Sequence, residues 1–114
     1  MSTNTIASTR RMINLIADKY TDSVDRLLKL QIARARESTK AIKFALAADA
    51  AASDAERKRL TAYVDGALAE VYETSAELAT AARELIAIVG TLDDYGIPAD
   101  PEILRMAHTA AANN

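Results

Sequence analysis

Between Thr5 and Ala52 the chain contains neither Gly nor Pro, the two residues that break helices. Apolar residues return through this stretch at helical spacing: Ile6, Ile13, Ile16, Tyr20, Val24, Leu27, Leu28, Ala35, Ile42, Ala45 and Leu46. On a wheel of roughly 100° per residue they share one broad face. Arg11, Lys29, Arg36, Lys40 and Lys43 gather opposite, as a basic face. A run of this length and period predicts one long amphipathic helix.

A second periodic run follows: Leu60, Val64, Ala67, Leu68, Val71, Leu78, Ala82, Leu85, Ile86, Val89 and Leu92. Its opposite face carries Glu70, Glu73, Glu77 and Glu84, so the two helices present solvent faces of opposite sign. The net charge of −2 conceals this division. Residues 1–43 hold nine Lys/Arg against four Asp/Glu, and residues 44–114 hold five against twelve. Alanine is the commonest residue, Trp and Cys are absent, and Gly66 is the first glycine, which together describe an all-α chain.

The stretch FALAADAAASDAERKRL, residues 44–60, decides whether the two runs form one helix or two. Alanine propensity would carry a helix straight through. The tetrad SDAE at 53–56 instead reads as a capping box, in which Ser53 Oγ accepts from the Glu56 N–H and the Glu56 carboxylate reaches back. Asp54 and Glu56 then lie in the first turn, where the helix dipole favours negative charge. Folding the chain back near Ser53 pairs Leu46 with Leu60, Ile42 with Val64, Ala35 with Val71, Leu28 with Leu78, Val24 with Ala82 and Tyr20 with Ile86. One layer, Gln31 opposite Ser75, is polar on polar; either Gln31 fixes the register of the seam, or the seam is wide there and Gln31 reaches solvent. The matched stripes predict an antiparallel hairpin with its turn between Ala48 and Asp54.

The second helix is expected to end at LDDYGIP, with Gly96 in the left-handed position, Ile97 touching Leu92, and Pro98 barring continuation. Gly90 is a rival stop, but Leu92 keeps the apolar pattern going past it. Asp100 as N-cap and Pro101 at the first helical position open a short third helix. The expected organisation is a single domain over 1–114, with helices at about 5–51, 54–95 and 101–111.

Two helices of roughly 45 and 40 residues run about 60–70 Å, and one hairpin seals only one side of each stripe. Leu15, Leu30, Ile32, Phe44 and Ile88 fall outside the seam and form the expected interface. A homodimer or larger assembly follows as the expectation, with a two-fold antiparallel four-helix bundle as the simplest form.

Little in the chain offers chemistry. Without cysteine there is neither a disulfide framework nor thiol chemistry, which suits a reducing compartment. His108, the single histidine, stands near the C-terminus without partners for metal or acid–base work. The acidic face has helical spacing but lacks the Glu-x-x-His pattern of di-metal bundles, and so reads as a solvated face. The basic face could track phosphates, yet the chain is acidic overall and no aromatic residues interleave with the cations, which argues against nucleic acid. No phosphate loop or activated nucleophile is present, so no enzyme activity and no cofactor are expected. Asp18 and Lys19 interrupt the N-terminal apolar patch too early for a signal peptide. No run approaches eighteen apolar residues, so no transmembrane span is expected and a cytoplasmic location is the default.

The run VDRLLKLQIARARESTKAIKFALAAD, with Leu27, Leu30, Gln31, Ala33 and Ala35 in a long Ala-rich amphipathic helix, resembles phasins. These are bacterial proteins that coat polyhydroxyalkanoate granules. The segment YETSAELATAARELIAI, the chain length and the absence of Cys and Trp are similar too, and the likeness covers about residues 15–90. The resemblance implies a cytoplasmic, non-enzymatic coat protein that self-associates and turns apolar faces toward a hydrophobic polymer. The alternative reading is a small adaptor, inhibitor or regulator that binds one protein partner through its helical surface.

Overall fold

The computed structural model describes residues 3–112, which form three helices: α1 (Thr3–Asp49), α2 (Asp54–Asp94) and α3 (Pro101–Ala112). Their contacts divide the chain into two units. One is Lys29–Glu77. The other combines the chain up to Leu28 with the chain from Leu78 onward.

The Lys29–Glu77 unit is an antiparallel hairpin with its turn where the SDAE tetrad places it. The Ala50 N–H still reaches the Leu46 carbonyl at 3.2 Å, and Ala51 tightens to Ala48 at 3.2 Å. The helix then stops. The Ser53 carbonyl accepts the first α2 hydrogen bond from the Arg57 N–H at 3.0 Å, and Ser53 Oγ accepts from the Glu56 N–H at 3.2 Å. Ser53 is therefore the N-cap. The reciprocal arm of the box, from Glu56 back to Ser53, is not made among the described residues. Asp54 instead pairs with Arg57 at 3.2 Å.

The seam of this unit differs from the one expected. On α1 the residues turned toward α2 are Leu30, Arg34, Glu37, Ala41, Phe44 and Ala48, all buried or half-buried. Ala41 and Ala48 are the buried ones, whereas Ile42 and Leu46 are 59% and 64% exposed. On α2 the seam is Leu60, Val64, Ala67, Val71 and Thr74, largely as the periodicity predicts. The contacts give the reason. Phe44 stacks on Tyr63, with ring centroids 5.3 Å apart, and the Thr74 hydroxyl donates to Glu37 Oε1 at 3.0 Å. These pairings turn α1 away from the expected face, and the small side chains of Ala41, Ala48 and Ala67 let the backbones approach. The hydrogen-bonded polar pair is Glu37 with Thr74, while Gln31 and Ser75 are each half-buried.

In the other unit α3 supplies a third helix. Leu27, Leu78 and Leu85 are fully buried, joined by Ala79, Ala81, Ala82 and Leu92 on α2 and by Ala107 and Ala110 on α3. The buried positions on α2 span a wide arc, as a helix covered from two sides requires. Where α2 ends, the Ile97 N–H reaches the Leu92 carbonyl at 3.0 Å and the Gly96 N–H reaches Asp93 at 2.9 Å. With Gly96 at φ +74°, this is the Schellman closure. Asp100 caps α3: its carbonyl accepts from the Leu104 N–H at 3.1 Å and its Oδ1 from the Glu102 N–H at 2.9 Å. The Asp100 N–H donates to the Tyr20 hydroxyl at 3.4 Å, and the Tyr95 hydroxyl donates to Met12 Sδ at 2.9 Å, tying the loop to α1.

Candidate functional site

The hairpin's choice of seam leaves the more apolar side of α1 in water. Ile32, Ala35, Thr39, Ile42 and Leu46 recur at spacings of three and four, a coiled-coil seam by pattern, and all five are exposed. Ile32 is 54% exposed. The Thr39 hydroxyl donates to the Ala35 carbonyl of its own helix at 2.9 Å, so its polar group is satisfied locally and its methyl remains for packing. A shallow groove of about 590 Å³ runs here, lined by Ile32, Ala35, Arg36, Thr39, Lys40, Lys43 and Phe44. Arg36, Lys40 and Lys43 form one rim, and among the described residues none of the three is in an ion pair.

The exposed side of α2 in the same unit is built in the complementary way. Leu68 and Tyr72 stand out at 39% and 73% exposure among the small residues Gly66, Ala69 and Ala76. Glu70, Glu73 and Glu77, all exposed and, among the described residues, without an ion-pair partner, lie to one side of Tyr72, Ala69 and Ala76. From Leu60 to Glu77 this helix carries four acids and no base.

The candidate residues thus separate by place. Arg36, Lys40, Lys43 and Ile32 share the α1 groove, and Lys29 lies on the same exposed side. Phe44 lines that groove but is half-buried through its stack on Tyr63, and Leu30 is half-buried toward α2. In the other unit Leu15 is 58% exposed, Ile88 is half-buried and Arg11 is exposed. Glu84, grouped by sequence with the acidic face, pairs there with Arg26 at 3.1 Å, both side chains about half-exposed. An exposed pair of this kind contributes about 0.2–1 kcal/mol.

Sequence reasoning assigned Ile42 and Leu46 to the sealed stripe and passed over Thr39. The signal was present, because α1 carries two interleaved seams, one of larger aliphatics and one with Ala, Arg and Glu. Periodicity registers both without saying which is covered. Among the described residues no helix is long and apolar enough to cross a membrane. No family model matches the chain, and no curated protein or solved structure matches it.

Proposed function

We propose that this chain is a non-enzymatic helical interaction protein of phasin-like character, which self-associates and lays an amphipathic helix on a hydrophobic surface or partner. One observation carries the reading. The hairpin covers the α1 seam of Leu30, Arg34, Glu37, Ala41, Phe44 and Ala48 and leaves Ile32, Ile42 and Leu46 exposed. Fully burying one Ile or Leu side chain is worth about 1.5–3 kcal/mol. A row of half-exposed aliphatics therefore offers several kcal/mol to whatever covers it, and contiguous apolar surface of this kind marks interaction sites. The cationic rim suits an occupant whose edge is polar or acidic, and an amphipathic helix can exchange a partner helix for an apolar surface.

Co-sedimentation with polyhydroxyalkanoate particles tests the reading. Wild type is expected to bind, and Ile42→Lys with Leu46→Lys is expected to bind at least tenfold more weakly while retaining its helical circular dichroism. Equal binding by both proteins, or no binding by wild type, would rule out surface coating by this face.

A further inference from the structure

We infer that the groove along α1 receives the exposed face of α2 from a second copy of the chain, in a head-to-tail contact and not a two-fold one. The inference rests on the proposed self-association and specifies its geometry. Charge complementarity carries it. In Lys29–Glu77 the cations of the exposed α1 side, Arg36, Lys40 and Lys43, and the acids of the exposed α2 side, Glu70, Glu73 and Glu77, are unmatched within the described chain. Each set flanks an exposed apolar row: Ile32, Ile42 and Leu46 on one helix, Ala69, Tyr72 and Ala76 on the other.

The sense of the contact follows from the wheel. At roughly 100° per residue, the cations lie about a quarter-turn beyond Ile32, Ile42 and Leu46 on α1, and the acids lie about a quarter-turn beyond Ala69, Tyr72 and Ala76 on α2, in the same rotational direction. Two helices whose charged flanks share that sense bring them to one side of the contact only when they run antiparallel. Parallel packing would leave the two flanks on opposite sides. Pairing the α1 face with another α1 face in antiparallel fashion would set cation against cation, and α2 with α2 would set acid against acid. The contact is therefore heterologous, each copy offering one face and receiving the other, so copies add in a row or close into a ring. Since α1 and α2 are antiparallel within the hairpin, neighbouring hairpins point the same way. Arg36 then comes alongside Glu73 and Glu77, and Lys40 and Lys43 alongside Glu70.

A charge-swap mixing experiment tests this on the full chain. Light scattering after size exclusion, at about 50 μM protein, would compare wild type, the triple variant Arg36→Glu/Lys40→Glu/Lys43→Glu and the triple variant Glu70→Lys/Glu73→Lys/Glu77→Lys. Wild type is expected above the monomer mass of 12.3 kDa, and each reversed variant alone is expected at it. Their equimolar mixture is expected to assemble again, because each variant's reversed helix meets the other's reversed helix and each native face meets a native face. Circular dichroism checks that the variants fold, and raised salt acting on wild type alone gives an independent readout of the charged flanks. A wild-type mass of one chain overturns the inference, as does a mixture that stays monomeric or variants that assemble alone. Binding of a monomeric wild type to polymer particles would leave surface coating standing while self-association and this contact fall. Failure of both measurements would remove both.

Discussion

The Glu37 carboxylate accepts from the Thr74 hydroxyl through Oε1, while Oε2 is buried with no hydrogen-bond partner among the described residues. A charged group in that position is costly unless its lone pairs are met. The hydroxyl of Thr74, itself 9% exposed, is therefore what makes Glu37 tolerable in the seam. Thr74→Val is expected to destabilise the hairpin by about 1–3 kcal/mol, the cost of stranding a partly buried polar group. In a Glu37→Leu background the same substitution should cost nothing or add stability, since no acceptor remains. A urea-denaturation double-mutant cycle measures the difference, and additive effects of the two changes would show that the pair is not coupled.

The helix ends repay attention at the scale of the element, because capping side chains and one backbone conformation define them. Ser53→Ala removes the oxygen that accepts the Glu56 N–H and should cost about 0.5–2 kcal/mol, read from the denaturation midpoint. Gly96 lies at φ +74° with nothing within 4 Å of where a Cβ would stand. Gly96→Ala should therefore cost about 1–2 kcal/mol through backbone strain alone, with no clash to relieve. A midpoint unchanged by Gly96→Ala would mean that the α2 terminus refolds around the substitution. These ends were legible in the sequence because SDAE, YGIP and ADP are local signals, each decided within one turn of helix. Which face of α1 the hairpin seals was not legible. The choice turned on Phe44 meeting Tyr63 and Glu37 meeting Thr74, contacts between residues distant in sequence that outweigh the greater hydrophobicity of Ile42 and Leu46. The basic and acidic faces were visible as charge periodicity. That Glu84 belongs with Arg26, apart from Glu70, Glu73 and Glu77, depended on the fold.

For the whole molecule the question is how much surface remains after folding. Ile42 and Leu46 remain 59% and 64% exposed. Covering what remains of each in an assembly should supply about 1–1.5 kcal/mol, close to a factor of ten in association constant per residue. Replacing both by Ser is therefore expected to weaken self-association about a hundredfold. It should leave the stability of the isolated chain nearly unchanged, because neither side chain is in its core. Mass action turns this into a thermal measurement. The wild-type melting temperature should rise with protein concentration, whereas that of Ile42→Ser/Leu46→Ser should be nearly flat over the same range and meet the wild-type value at high dilution. A wild-type melting temperature independent of concentration would show that this surface is not covered by another copy, and a variant that melts far lower at every concentration would show that Ile42 and Leu46 support the hairpin itself.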